Sequence, residues 1–331
     1  MPASTELVRA GNWVFGTGLR SADPHSLFKT IRERLNEAGS SISLVARLDQ
    51  YYPDLSCVAP YQAARKQAFT QRQVAPSTSV IVSNLRDPRA QVDVQLIAAT
   101  SASGYVPREV GSGLNRPETS GYAPCLRVGE LIFVAGQLAR DAAGQLAVRG
   151  TAEETGYIVR RRLLPALEAG QSALELVLKA QVYLSRPDDF PLFKKIWNEV
   201  FSNRMPPTTV VPLRHPAFLT PEATVEINLI AAHRSAGARV RRIECEAEAR
   251  GLDGLLFVGG LTASGMDEVL EQAKEVFKAA AMDLSNVVRA LFFHSDLREL
   301  PDPGFPFSAI QVDAAIDGGL AADIWGYAPV T

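Results

Sequence analysis

Three stretches of this sequence repeat one pattern: an apolar strand that stops on a glycine, then an amphipathic helix, then a second apolar strand. The first strands are residues 9–19 (RAGNWVFGTGL), 127–138 (RVGELIFVAGQL) and 253–261 (DGLLFVGGL), and they end on Gly18, Gly136 and Gly260. These glycines are spaced by 118 and 124 residues. A period of that length points to one supersecondary unit copied three times, each copy relying on its neighbours to bury its apolar faces.

The helices follow from spacing. Residues 26–38 place Leu27, Ile31 and Leu35 on one face. Residues 151–169 do so with Ile158, Leu163, Leu164 and Leu167, and residues 266–281 with Val269, Leu270, Ala273, Val276 and Phe277. Steps of three, four and seven are helical. Gly39 and Gly170 stand where a helix end favours a left-handed residue. A second helix is predicted over 61–70 and 190–201, but the third copy runs from His294 through PDPGFPF towards its last strands without one.

The closing strands alternate, as in Val92, Asp93, Val94, Gln95 and in Val225, Glu226, Ile227, Asn228. That is the period-two mark of a strand with two different faces. The Gly-, Ser- and Pro-rich segment 101–120 reads as a linker and the basic stretch 235–242 as a second junction. The expected division is therefore 1–100, 121–235 and 236–331. Each unit is an α+β sheet with helices on one face, and the bare face must pack against another copy.

Composition narrows the function. A formal net charge of −2 with a pI near 6.2 gives no pull on nucleic acid or anionic lipid. No apolar run approaches the roughly 20 residues of a membrane span. Cys57, Cys125 and Cys245 form neither a disulfide framework nor a metal spacing, so a reducing, cytoplasmic setting is expected. The four histidines are scattered, so no metal and no cofactor are expected. The partner is expected to be a small molecule.

The second unit resembles the RidA/YjgF family, also described as L-PSP endoribonucleases. The matching pieces are GYAPCLRVGELIFVAGQLARD, AGQSALELVLKAQVYLSRPDDF, and MPPTTVV leading to VEINLIAA. The first unit matches from its first strand onward and the third only in its strand–helix–strand half. The resemblance implies chorismate-mutase-like units arranged as a pseudo-trimer, sheets inward, helices outside, with a ligand cleft at each junction. It also implies hydrolysis of enamines or imines to ammonia and an oxo acid. An arginine in a P-A-R-S turn holds the substrate carboxylate, and a glutamate in the last strand positions water.

Position by position, this chain departs from that pattern. The arginine position falls on Thr78, Thr208 and Ser308, and the glutamate position on Gln95, Asn228 and Trp325. Tyr122 keeps the family tyrosine, and Gly136 with Gln137 beside it keeps the strand end. Losing a charge-assisted contact weakens carboxylate binding by roughly ten- to a hundredfold. Gln95 and Asn228 can hold water but not take its proton. Either the ligand is less charged, or Arg214 and His215, or Arg86 and Arg89, supply the charge.

The plainer readings are packing for Tyr122, a structural role for His294, a solvated helix face for Arg160 to Arg162, and a plug for Trp325. The expected site combines Tyr122, Thr208 and Asn228 in the second unit, with Gln95 and Thr78 in the first. The first unit is expected to lack the leading strand with its tyrosine. The leading reading is a diverged deaminase or hydrolase of an imine, enamine or related C–N bond at an inter-unit cleft. A chorismatase-like lyase or hydrolase and a non-catalytic binding protein are the alternatives. A monomer in solution is expected.

Overall fold

The computed structural model describes residues 7–69, 75–111, 114, 121–312 and 319–330. Thr70 and most of 112–120, within the expected second helix and linker, lie outside the described residues. Three sheets form. The first orders its strands as β1 (Leu7–Ala10), β2 (Trp13–Ser21), β6 (Val92–Ala99), β3 (Val45–Tyr52) and β4 (Ser77–Ile81). The second repeats that order with β8 (Cys125–Val128), β9 (Leu131–Gln137), β12 (Val225–Ala232), β10 (Val177–Leu184) and β11 (Thr208–Pro212). The third does so with β14 (Ala249–Leu252), β15 (Leu255–Val258), β19 (Leu320–Tyr327), β17 (Val287–His294) and β18 (Ser308–Gln311).

Small strands extend these sheets and tie them together. β5 (Asn84–Leu85) crosses from the first stretch of chain and pairs with β18 in the third sheet. β13 (Arg241–Ile243) pairs with β14, and β16 (Leu261–Ala263) pairs with β19. β7 (Arg108–Glu109) pairs with β8, so part of the expected linker is a sheet edge. The first two predicted first strands are in fact hairpins, and the third, beginning at its turn, is the second arm of one with β14. The chain turns at Gly11, Gly129 and Gly254, whose φ angles are +56°, +56° and +87°, a region that favours glycine. The first copy thus has a leading strand, β1, contrary to expectation.

The helices bury their apolar faces as spacing predicts, except that Leu164, expected on the buried face of 151–169, is exposed beyond a π-turn. α1 (Pro24–Glu37) starts at the Asp23 cap and buries Leu27, Phe28, Ile31 and Leu35. α2 (Val58–Ala68) follows β3. α3 (Thr151–Ile158) passes through a π-turn (Val159–Leu163) into α4 (Leu164–Ala169). α5 (Phe190–Phe201) and α6 (Met266–Ala279) complete the set. Between β17 and β18 the chain makes only the short turn Leu297–Glu299. No helix of the described residues is long and apolar enough to cross a membrane.

Period-two alternation separates two faces. Along β10, Val182 and Leu184 join the core beneath α3 and α5, whereas Tyr183 enters a separate cluster. That cluster draws Tyr51, Val80, Tyr183, Val211, Phe293 and Ile310 from all three sheets. Tyr51, Tyr183 and Phe293 hold the same place in β3, β10 and β17. The Tyr51 and Tyr183 hydroxyls lie 2.7 Å apart, and the Tyr51 and Phe293 ring centres 6.0 Å apart.

Three helices end alike. The left-handed residue is Gly39 (φ +72°), Gln171 (+53°) and Ala281 (+59°). The helix ends at Ala169 as expected, but Gly170 has φ −76° and the left-handed residue falls one position later, at Gln171. A β-carbon there would meet Ile132 at 2.8 Å, so packing explains the glycine. Ala281 is exposed and bears the left-handed cost without compensation. Ala281→Gly is expected to stabilise the protein by about 0.5–1 kcal/mol, read as a higher urea midpoint at unchanged slope.

Candidate functional site

Strand pairing fixes which residues are equivalent. Gln95 faces Asp49, Asn228 faces Gln181, and Asp323 faces Leu291, all at matching places in β3, β10 and β17. The third counterpart of Gln95 and Asn228 is therefore Asp323, not Trp325. On the other side, Thr78 faces Asp49, Thr209 faces Gln181, and Ser308 faces Leu291. Thr208 faces Ala180 and so corresponds to Ser77, which faces Leu48. Taken from Thr208, the arginine position is therefore Ser77 in the first unit and Phe307 in the third, not Thr78 and Ser308.

That one-residue difference decides which way each side chain points. Thr78, Thr209 and Ser308 turn towards a neighbouring sheet. Asn228 donates to Thr78 Oγ1 at 2.8 Å, the Gly260 amide donates to Thr209 Oγ1 at 3.3 Å, and Ser308 donates to Asp93 at 2.7 Å. Thr208 instead turns to α5, where Trp197 Nε1 donates to it at 3.2 Å. It does not line the cavity that holds Tyr122.

That cavity, about 250 Å³, lies between the first and second sheets. Tyr122, Gly136, Gln137, Leu138, Arg140, Arg162 and Glu226 line it from the second, and Gln62, Arg65, Ser77 and Ser79 from the first. A β-carbon at Gly136 would lie 1.8 Å from Glu226 Oε1, so only glycine admits that carboxyl. Tyr122, Gly136 and Gln137 are thus brought together, as expected. Asn228 and Thr78 meet each other close by.

The charge comes from residues that were not anticipated. Arg65 is buried, and its guanidinium donates to Ser77 Oγ at 3.2 Å, at the register position of the missing strand arginine. Arg140 Nε donates to Thr220 Oγ1 at 2.7 Å, and Arg162 Nε donates to Gln137 Oε1 at 3.0 Å. Arg162 was expected on a solvated helix face. The π-turn that contains it adds a residue to the helical turn, which lets this side chain reach the cavity. A sequence signal existed for Arg65: it shares the buried stripe of α2 with Tyr61, Ala64 and Ala68, where a charge is costly unless used.

Glu226 is the acid of the site. Burial pushes its carboxyl up to about 8, against the opposing pull of Arg140. Burial likewise raises the Tyr122 phenol, helped by Glu226 and opposed by Arg140, Arg162 and Arg65. At neutral pH the cavity therefore presents three guanidiniums and a protonated carboxyl able to donate.

The remaining expected residues lie elsewhere. Gln95 is buried at the junction of the first and third sheets and donates to Asp93 at 2.7 Å. Arg214 and His215 are exposed and do not line the cavity. Arg86 lies 4.3 Å over the Phe307 ring, and Arg89 pairs with Asp87 on the surface. His294 is buried and held at the backbone of Asp296. Trp325 is buried and donates to Asp323 at 2.7 Å. No group of three His, Cys, Asp or Glu among the described residues could hold a metal ion.

Residues 113–233, the stretch carrying most of this cavity, match the family described as Endoribonuclease L-PSP. A RutC family protein of Saccharolobus solfataricus is 29% identical over 110 residues, 33% of this chain and 85% of that one. The mitochondrial protein mmf2 of Schizosaccharomyces pombe is 29% identical over 111 residues, 34% of this chain and 86% of its own. Among solved structures, RidA from an Antarctic Psychrobacter is 21% identical with a TM-score of 0.34, covering 38% of this chain and 98% of that one. The resemblance read from the sequence is borne out: residues 113–233 match the L-PSP family, and the relatives they resemble include RutC family proteins.

Glu226 has a consequence for stability. Folded, its carboxyl keeps its proton to about pH 8, whereas unfolded it releases it near its ordinary value. The folded state therefore binds the extra proton between those values, and this contribution to stability is lost as pH rises towards 8. Urea unfolding of wild type and Glu226→Gln between pH 5 and 8 is expected to show a steeper decline in wild type. Parallel curves would contradict the assignment.

Proposed function

We propose that the chain is a covalent pseudo-trimer of RidA-like units, divided near 1–100, 121–235 and 236–331, monomeric in solution, with one working cleft. The cleft between the first two units acts as an imine or enamine hydrolase. The observation that carries this reading is Arg65 against Ser77, facing Tyr122, Gly136 and the protonated Glu226 across one cavity. A guanidinium is thereby restored where the strand arginine is missing, ready for a substrate carboxylate.

Glu226 gives its proton to the imine nitrogen, which makes the carbon electrophilic. Water adds to that carbon and returns a proton to the carboxylate. The carbinolamine then takes the proton on nitrogen, ammonia leaves, and the hydroxyl proton goes back to Glu226 as the carbonyl forms. One imine and one water give one carbonyl compound and one ammonia. A group with a pKa near the working pH suits this shuttle. Tyr122 and the backbone beside Gln137 orient the reacting centre.

At the other two junctions the buried acids are already paired. Arg20 pairs with buried Asp93 at 2.6 Å in one, and Lys179 with buried Asp323 at 3.2 Å in the other. Binding without turnover is the second reading. It is favoured by Asn228, which cannot take a proton from water and whose amide is committed to Thr78.

Ammonia release from freshly generated 2-aminoacrylate-type imines tests the proposal. Arg65→Ala is expected to raise KM roughly ten- to a hundredfold. Glu226→Gln is expected to lower kcat by about a hundredfold or more, and to abolish the fall in wild-type rate above pH 8. Absence of any acceleration sinks the hydrolase reading, and bound imine or oxo acid without turnover supports the second. Light scattering is expected to find a monomer.

A further inference from the structure

We propose that this cleft selects a substrate with two anionic groups, such as the imine or enamine of a short dicarboxylic oxo acid, over its one-carboxylate analogue. The proposal rests on the functional reading above and names the substrate class of that same site. It follows from how the chain treats its arginines.

Away from the cavity, the buried guanidiniums are neutralised or held by several carbonyl oxygens. Half-buried Arg86, which lies over the Phe307 ring with its Nη1 lacking a hydrogen-bond partner among the described residues, is the exception. Arg20 pairs with Asp93, Arg47 with Asp49, and Arg289 with Asp323. Arg250 is surrounded by the carbonyl oxygens of Glu175, Val177, Arg204 and Met205. Arg65, Arg140 and Arg162 break that rule. Their side-chain bonds go to Ser77, Thr220 and Gln137, which are all neutral.

An uncompensated charge in a part-buried cavity is costly to keep. Three in one cavity, beside a carboxyl that is protonated at neutral pH, leave more positive charge than one carboxylate can match. The guanidiniums also stand on two walls. Arg65 comes from α2 beside Ser77 and Ser79. Arg140 and Arg162 come from the second unit beside Gln137. One carboxylate against Arg65 leaves the Arg140 and Arg162 wall without an anion. A second anionic group on the same small molecule fills it, and about 250 Å³ limits that molecule to a short chain.

Calorimetric titration of the intact protein with unreactive probes tests this. Succinate and glutarate are compared with propionate and butyrate. The dicarboxylates are expected to bind at least tenfold more tightly, by the worth of one charge-assisted contact. Arg162→Gln is expected to erase that advantage while leaving the monocarboxylates unchanged, whereas Arg65→Gln weakens both classes. Arg162→Lys, which keeps the charge, retains part of the advantage and controls for folding.

Equal affinity of the two classes, binding of neither, or an equal loss for both in Arg162→Gln overturns the proposal. A dicarboxylate preference without ammonia release from any imine leaves it standing and sinks the hydrolase reading alone. Equal turnover of one- and two-carboxylate imines sinks this proposal and leaves the hydrolase reading standing.

Discussion

A single buried aspartate holds two cations from two sheets, and the assembly of the molecule turns on it. Asp323, in β19, lies 3.2 Å from Lys179 Nζ in β10 and 2.5 Å from Arg289 Nη1 in β17. Burial pushes its carboxyl up, but Lys179 and Arg289 outweigh that and hold it below the ordinary carboxylate range. Burial in turn pulls Lys179 down to about 8, with Asp323 opposing. Lys179 also donates to Thr209 Oγ1 at 2.7 Å, which ties the cluster to β11. Removing one partner from such a group strands a charge in the interior, at about 3–5 kcal/mol. The second and third sheets are therefore tied by a buried charge cluster as well as by apolar contact.

The same construction recurs around the molecule with different chemistry each time. Each inward hydroxyl of a penultimate strand docks on the next sheet: Thr78 with Asn228, Thr209 with the Gly260 amide, and Ser308 with Asp93. The three contacts run from first to second, second to third, and third to first. That closed cycle explains why none of the sheets leaves its bare face exposed. What differs is the acid beside each contact. Asp93 and Asp323 are neutralised by Arg20 and Lys179. Glu226 has no cation in a direct ion pair among the described residues, and there the space stays open.

The alternation and the helical stripes made the strands, helices and repeat readable, because both record which face meets the core. The triplet at Tyr122, Gly136 and Gln137 was readable too, because Gly136 and Gln137 end β9 and the resemblance points to Tyr122 ahead of β8. Register was harder. Ser77, Thr78 and Ser79 carry interchangeable hydroxyl side chains, and nothing local says which of them faces the helix. Only pairing with β3 settles that, and a slip of one residue exchanged Thr78 for Ser77. Arg162 was hidden for a different reason. An ideal helix leaves it on the polar face, and a π-turn is a departure from the period on which the reading rests.

Arg65 shows how a charge can move while its job remains. The strand position that bears the arginine in the resembling family carries Ser77 here, and its hydroxyl accepts from a guanidinium that arrives from α2. The swap exchanges a side chain fixed by strand geometry for one reaching from a helix on the same unit. In three identical copies it would have to work at every junction at once. Here the corresponding partner of Thr208 is Trp197 in α5, so the exchange is confined to one junction. Covalent linkage frees each copy from repeating the others, so two junctions could become structural ion clusters while a third gathered Arg65, Arg140 and Arg162 around a single protonatable carboxyl.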